Sequence, residues 1–414
     1  MIENVVILGG GHGGVQAAAS LRDEGFEGEI ILVNDENELP YHKPPLSKAF
    51  LKSAEERPQL LRGESFYSSN RIEPRFGSRV EAIDAIAKRL HFANGTHLGF
   101  GTLIIATGAR PRAATLPGST LNGVMMLRTL SDSRAIRDAA TKAEHVVIIG
   151  GGFIGLELAA TLSEKGKEVT VVEAQDRLLS RVVANPISDH VRRRLEDIGI
   201  KVLAHTTVSS LKGNDRVRAA VTSDGLRLPA ELVIVGIGAL PNIELAANAG
   251  LSVKNGIVVD GLMRSSIPSI LAIGDCANYR HWQTGEYVRL ESVQNATDHG
   301  RLAARTIMGK GGDYNAVPWF WSDIGDTKLQ IVGLANRSNR KMLVGEPAEN
   351  RFSVYEFMAD QLVAIESVNR PSDHMLGRRM IAAGFSPTPE KVEGGPEAIK
   401  SAFAEWQKER ATVV

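Results

Sequence analysis

The first apolar residues of this chain form an unbroken run, VVIL at 5–8, that ends in the glycine cluster GGGHGG. Apolar positions then recur at helical spacing over residues 15–24, and a second apolar run follows at 29–33. The same order returns from residue 145: a run at 145–149, the cluster GGGFIG, helical spacing to about residue 165, and a run at 168–172. Short β-branched runs closed by glycine predict buried parallel strands, each followed by a helix packed on the sheet.

In both copies the glycines stand in G-x-G-x-x-G order, as Gly9, Gly11 and Gly14 and again as Gly150, Gly152 and Gly155. The first glycine permits the tight turn, the second lets backbone approach a pyrophosphate, and the third lets helix and strand pack closely. The helix N-terminus adds a partial positive charge suited to phosphate. A carboxylate follows each copy: Asp35 lies just past the 29–33 strand and Glu173 ends the 168–172 strand. Roughly 20 residues beyond the glycines is where a carboxylate accepts hydrogen bonds from ribose hydroxyls. A lone match is weak, because glycine turns are common. Two matches in strand–turn–helix–strand context point to two bound dinucleotides, a flavin that stays and a nicotinamide that comes and goes.

The remaining pattern gives an interleaved layout. Short strands with an Asn94-Gly95 turn fill 78–106, and LIIATGARPR at 103–112 is a strand that stops on glycine and proline, a crossover out of the first domain. LVIVGIGALPN at 232–242 repeats that signature and marks the crossover back, with a late hairpin turning at Asp224-Gly225 before it. ILAIGDCAN and a helix near 295–308 close the first domain. From residue 318 the runs PWFWSD, KLQIVGL, FSVYEF and LVAIESV alternate as antiparallel strands and give way to charged helices. The expected fold is α/β: two Rossmann-like dinucleotide-binding domains plus a C-terminal α+β domain. The expected boundaries are 1–112 with 236–316, then 113–235, then 317–414.

Composition narrows the function classes. The 414 residues carry 48 Lys+Arg against 48 Asp+Glu, so there is no global pull toward nucleic acid or an anionic membrane. No apolar run approaches the ~20 residues of a membrane helix. The first strand begins by Asn4, which leaves no room for a leader and makes the cytoplasm the expected location. No metal site is expected. The single cysteine, Cys276, excludes an intrachain disulfide and any C-x-x-C redox pair beside a flavin. Its place at the end of an apolar strand reads as a buried structural thiol rather than a sulfenic-acid centre, so electrons must leave to an acceptor outside the chain.

Taken together, the two fingerprints, ATGARPR, GIGALPN and AIGDCA resemble the FAD- and NAD(P)-dependent reductases of the glutathione reductase fold. PYHKPPLSKAFL, LRTLSDS, ESVQNATD and PWFWSD are similar to the ferredoxin reductases of the putidaredoxin reductase type, which serve cytochrome P450 and ring-hydroxylating oxygenase systems. The resemblance covers nearly the whole chain. It implies an enzyme that oxidises NADH with FAD and reduces a [2Fe-2S] ferredoxin one electron at a time, since flavin can accept two electrons and release them singly.

The resemblance also implies roles position by position. Asp275 would bond the flavin's ribityl or phosphate region, Asp35 the adenosine ribose, and Lys43 a phosphate. Gly13, Val80 and Val293 would be backbone or contact positions on FAD, and Arg128 would sit near the isoalloxazine or its phosphates. Lys48 would stand near flavin N5 and pair with Glu157 where hydride passes; these are the expected catalytic residues. Trp321 would lie beside the flavin where electrons leave, with Arg301 and Lys328 as cations that an acidic ferredoxin would meet. Two departures stand out: Ile324-Gly325 replaces the common Gln-Tyr after WFWSD, and His42-Lys43 replaces Glu-Arg. Three functional readings fit: the electron-transfer flavoenzyme, an NADH-dependent flavin reductase of a small acceptor of the monodehydroascorbate or quinone type, and a nucleic-acid-binding role that the neutral charge opposes.

Overall fold

The computed structural model describes residues 3–53, 55–335 and 338–412. Its contacts divide the chain into two units. The first comprises the chain up to Lys43, Arg57–Arg110 and Ala239–Ala316; the second comprises Pro44–Glu56, Pro111–Gly238 and the chain from Val317.

The first unit is built around β1 (Asn4–Leu8), α1 (His12–Asp23) and β2 (Glu29–Val33). β1 pairs in parallel with β2 on one side and with Thr102–Ile105 on the other. Ile270–Ala272 and Ile72–Arg75 complete a five-stranded parallel sheet. Val5, Val6 and Ile7 are fully buried, as the continuous apolar run requires of a central strand covered on both faces. α1 packs on helix Val293–Ile307, and the approach is close because both helices use glycine: a methyl on Gly300 would come within 2.6 Å of the Gly13 carbonyl oxygen. The sheet's open end thus presents the glycine turn and the start of α1.

The second unit repeats the device. β3 (His145–Ile149), α2 (Phe153–Glu164) and β4 (Glu168–Val172) are followed by α3 (Asn185–Asp197). β3 and β4 pair in parallel, with Lys201–Leu203, Leu232–Val235 and Val124–Met125 completing another five-stranded parallel sheet. The C-terminal portion is an antiparallel sheet of β5 (Trp319–Ile324), β6 (Thr327–Gly333), β7 (Arg340–Glu346), β8 (Arg351–Met358) and β9 (Gln361–Val368), in the order β5-β6-β9-β8-β7. α4 (Pro371–Ala383) covers the face that holds Val332, Tyr355, Phe357 and Ile365.

Two expectations need correction. The 44–56 stretch belongs with the second unit, not the first. Ser133 Oγ donates to the Leu46 carbonyl at 2.7 Å, Thr161 Oγ1 to the Ser47 carbonyl at 2.9 Å, and Lys165 Nζ to the Lys52 carbonyl at 2.9 Å. Those bonds satisfy carbonyls that a short irregular segment cannot satisfy alone. The other correction is β7, which the sequence pattern does not reveal. As an edge strand it carries Arg340, Lys341 and Glu346, charges that protect an exposed edge and blur the alternation by which strands are read. The C-terminal residues from 317 also group with the second fingerprint in a single unit.

Candidate active site

In the first unit the turn after β1 assigns each glycine a different task. Gly9 adopts φ +121°, and a side chain there would overlap the Ala106 carbonyl. A methyl on Gly14 would overlap the Gly9 carbonyl oxygen, so this glycine is fixed by helix-on-turn packing. Gly11 differs: it is the N-cap of α1, and a methyl there would meet nothing within 4 Å. The first intrahelical bond runs from Val15 N–H to the Gly11 carbonyl at 3.1 Å. The N–H groups of the helix's opening residues therefore have no i−4 carbonyl and lie at the positive end of the dipole. Open space before a glycine backbone at a helix N-terminus is what a pyrophosphate requires.

The second unit has the same geometry. Gly150 adopts φ +108°, a methyl on Gly155 would come within 2.6 Å of the Gly150 carbonyl oxygen, and one on Gly152 would find only the Gly236 carbonyl, at 3.9 Å. Residues of both copies therefore fit a dinucleotide diphosphate.

The strand-end residues differ between copies. Glu173 accepts from Gly151 N–H at 2.6 Å and from Gln175 N–H at 2.7 Å, which holds its carboxylate against the fingerprint with lone pairs left for ribose hydroxyls. In the first copy the equivalent bond, Gly10 N–H to a side-chain oxygen at 3.1 Å, goes to Asn34. Asp35 follows one position on and is exposed. Asn34 was not singled out by sequence, because a ribose partner is sought among carboxylates. Its signal was available: it occupies the position after β2 that Glu173 occupies after β4.

The other expected first-unit residues are placed as follows. Lys43 Nζ donates to Glu36 at 2.6 Å and to the Tyr41 hydroxyl at 3.0 Å, so its charge is already matched by a carboxylate. Gly13 lies in the first turn of α1 with its Cα hydrogen directed at the Ala296 carbonyl and Ile273. Val80 is buried at the start of strand Val80–Asp84, Asp275 is half-buried in the turn Gly274–Cys276, and Val293 opens the helix capped by Ser292. Arg301 is exposed and pairs with Asp298 at 2.8 Å. Cys276 is fully buried with its thiol bonded to the Ile105 and Ile273 carbonyls, and burial pushes its pKa up. The structural reading of that cysteine holds.

Within the second unit the expected Lys48–Glu157 pair is present at 2.7 Å. Glu157, the fifth residue of α2, is only 6 % exposed. A carboxylate that deep needs several partners. It has Lys48 on Oε1, Ser322 Oγ donating to Oε1 at 2.6 Å, and Ser47 Oγ donating to Oε2 at 2.5 Å. Neither serine was singled out by sequence. Each lies beside an expected site residue, Ser47 next to Lys48 and Ser322 next to Trp321. The Lys48 ammonium is thereby held by a carboxylate whose own geometry is fixed from two sides. Arg128 is half-buried just before helix Leu130–Lys142.

Trp321 is half-buried on β5, with the Trp319 ring centroid 5.5 Å away. The Arg378 guanidinium lies over Trp319 at 4.8 Å, a cation–π arrangement that brings a positive charge to the tryptophan pair. Arg378 comes from α4, and nothing in its sequence neighbourhood marks it. Lys328 is exposed on β6. Ile324 is buried, and Gly325, at φ +58°, forms with Asp326 the tight turn between β5 and β6. The departure from the family pattern at 324–325 is therefore a hairpin turn.

Comparison with known proteins agrees with this geometry. Residues 3–300 match the model of the pyridine nucleotide-disulphide oxidoreductase family, and residues 319–402 match a reductase C-terminal domain. Rhodocoxin reductase of Rhodococcus erythropolis is 41% identical over 403 residues, covering 97% of this chain and 94% of that protein. The ferredoxin reductase for the CYP199A2 system of Rhodopseudomonas palustris superimposes with a TM-score of 0.92 at 45% identity, covering 94% of this chain and 96% of that one. The reductase in a covalent putidaredoxin reductase–putidaredoxin complex gives 0.93 at 37% identity, with 97% and 98% covered.

Proposed function

The chain belongs to the pyridine nucleotide-disulphide oxidoreductase family, and within it we propose an FAD-containing NADH:ferredoxin oxidoreductase that serves a cytochrome P450 or ring-hydroxylating oxygenase. The observation that carries this reading is likeness over nearly the whole length to ferredoxin reductases, C-terminal domain included, in a chain whose lone cysteine is buried. With its lone thiol buried, the chain offers no thiol relay, and the acceptor of electrons from bound FAD would be external. FAD, when bound, supplies the chemistry of accepting two electrons together and releasing them singly.

In this reading Gly11 and the start of α1 hold the FAD diphosphate, with Asp35 and Asn34 at the ribose end and Asp275, Val80, Val293 and Arg128 as further contacts. Gly152 and the start of α2 hold the NADH diphosphate, and Glu173 binds the adenosine ribose. Lys48, oriented by Glu157, stands at the site of hydride transfer. The Glu157 carboxylate keeps that ammonium in one place and balances its charge, so Lys48 is a fixed positive group rather than a mobile side chain. Trp321 and Trp319, with Arg378 and Lys328 nearby in the second unit, form the side at which an acidic [2Fe-2S] protein docks.

Among the described residues no helix is long and apolar enough to cross a membrane. We place the protein in the cytoplasm, where its proposed donor is found. The deciding experiment is anaerobic turnover with NADH and purified [2Fe-2S] ferredoxin, followed by cytochrome c reduction, in parallel with quinones. Ferredoxin-dependent turnover well above that with quinones is the expected result. A preference for the small acceptor overturns the proposal.

A further inference from the structure

Two carboxylates are buried on one face of the C-terminal sheet, the face that also carries Ser322. Glu356 on β8 and Glu366 on β9 are both fully buried. Val354 is paired with Glu366, and Glu356 with Ala364, so the two glutamates are diagonal neighbours on one face. The same face carries Phe320 and Ile331 in register with Glu366.

Their oxygens can be accounted for one by one. Glu356 Oε2 accepts from the Ser338 hydroxyl and lies 3.3 Å from Lys341 Nζ. Glu366 Oε2 accepts from Ala184 N–H at 2.8 Å. The remaining oxygen of each, Oε1, is buried with no donor among the described residues. Counted over the described residues, two ionised carboxylates beside one lysine would leave a net negative charge and two unsatisfied oxygens in the core. A single proton on Glu366 Oε1, donated to Glu356, satisfies both oxygens and brings the local charge to zero. Burial and the neighbouring Glu356 carboxylate push the Glu366 pKa well up, in keeping with this assignment.

Ala184 gives the pair its wider connection. It is the N-cap of α3 and ends the segment that runs back to the second fingerprint. Leu179 N–H in that segment donates to the Gly151 carbonyl at 3.0 Å, and Ser188 Oγ on α3 donates to the Leu178 carbonyl at 2.6 Å. Among the ionisable groups on these elements, His190 meets the same face of the sheet, its ring centroid 5.1 Å from that of Phe352. His190 of α3 bonds Asn350 at 2.7 Å, Arg177 donates to the Ser180 and Val183 carbonyls, and Arg181 is exposed.

We propose that Glu356 and Glu366 share one proton in the folded protein, and that this protonated pair latches the C-terminal sheet to the 178–184 segment, making Glu366 a positioning residue for the nicotinamide coenzyme site. The coenzyme part rests on the reading of the second fingerprint as the NADH site. The proton part does not.

The sign of the pH effect follows from linkage. The native chain holds a proton that the unfolded chain releases at an ordinary carboxylate pKa. Stability from this group is therefore full below that pKa and falls as pH rises toward the native pKa, at about tenfold in the folding constant per pH unit. Above the native pKa both glutamates are charged, and the latch loosens.

Glu366→Gln is the informative variant, since its amide oxygen accepts from Ala184 N–H and its NH2 donates to Glu356 without a titrating proton. Thermal melts and KM for NADH are measured from pH 5 to 9 on the wild-type holoenzyme, Glu366→Gln and Glu366→Ala. The expected result is a Tm gap between Glu366→Gln and wild type that widens with pH. KM for NADH should rise several-fold at the alkaline end in wild type, stay flat in Glu366→Gln, and be raised at every pH in Glu366→Ala. Parallel Tm curves for wild type and Glu366→Gln overturn the shared proton. A diverging Tm with identical KM profiles overturns the latch. If NADH is not the coenzyme, no variant turns over with it, and the melts still decide the proton.

Discussion

Gly11 and Gly14 separate folding from cofactor binding, because the same glycine fingerprint uses them in opposite ways. Gly11 adopts φ −78° and ψ −173°, a conformation open to any residue, and faces empty space. In Gly11→Val the fold loses only the preference of an N-cap for glycine over valine, at most ~1 kcal/mol. The cost to FAD is larger. The added side chain fills the approach to the first-turn N–H groups and removes at least one charge-assisted hydrogen bond, worth ~1.5–3 kcal/mol, or roughly 10- to 150-fold in Kd. In Gly14→Ala the order reverses, because the methyl overlaps the Gly9 carbonyl, which is backbone and cannot swing aside. Overpacking of that kind costs ~1–3 kcal/mol before any ligand is present. The assay has two arms: flavin-to-protein absorbance of the purified variants, and thermal melts of apoprotein followed by FAD titration. Gly11→Val should melt close to wild type yet purify nearly colourless, whereas Gly14→Ala should melt early. A Gly11→Val protein with a full complement of FAD would falsify the assignment of the first fingerprint.

The second fingerprint supplies a matched case: Gly152→Val should leave the protein yellow while raising KM for NADH at least tenfold, measured with ferricyanide as acceptor. Lys48→Met should slow anaerobic flavin reduction by NADH much more than it lowers FAD content, and stopped-flow reduction at the wild-type rate would remove Lys48 from the hydride site. NADH should be preferred over NADPH by ~2–4 kcal/mol, or roughly 30- to 1000-fold in kcat/KM, because Glu173 opposes a 2′-phosphate and Arg177 is engaged by the Ser180 and Val183 carbonyls. Glu173→Ala with Gln175→Arg should relax that preference, and equal kcat/KM for the two coenzymes in the native protein would count against Glu173. Cys276 should resist iodoacetamide in the folded protein, since burial pushes its thiol pKa up; rapid labelling without loss of structure would contradict its placement.

What the sequence made legible is what repeats or runs continuously. Both glycine turns and the strands on either side of them follow from local pattern, because each is encoded within a few neighbouring residues; the pairing of Lys48 with Glu157, far apart in the chain, follows from the family resemblance alone. What it hid depends on long-range contact. β7 reads as a polar stretch because Arg340, Lys341 and Glu346 break its alternation, charges that protect an unpaired edge. Arg378 is one arginine of two in α4, and only packing shows which of them covers Trp319. Glu356 and Glu366 look like the polar positions of alternating strands, yet both are inside the core, Glu366 against Ala184 at the start of α3 and Glu356 against Ser338 and Lys341.

Glu157 shows how one hidden contact reshapes the domain layout. It sits in LELAATL, an otherwise apolar helix segment, and an ionised carboxylate there is costly unless several donors converge on it. Those donors do not come from α2, whose neighbouring positions are apolar except for Thr161, and the Thr161 hydroxyl goes to the Ser47 carbonyl. Ser47 comes from 110 residues upstream and Ser322 from 165 residues downstream, with Lys48 adjacent to the first. Satisfying Glu157 therefore draws the 44–56 stretch out of the first unit and packs β5 against α2 in the second. The same requirement fixes where the Lys48 ammonium stands. The division of the chain into units and the placing of its proposed hydride-site lysine thus have one physical cause, the need of a buried carboxylate for partners.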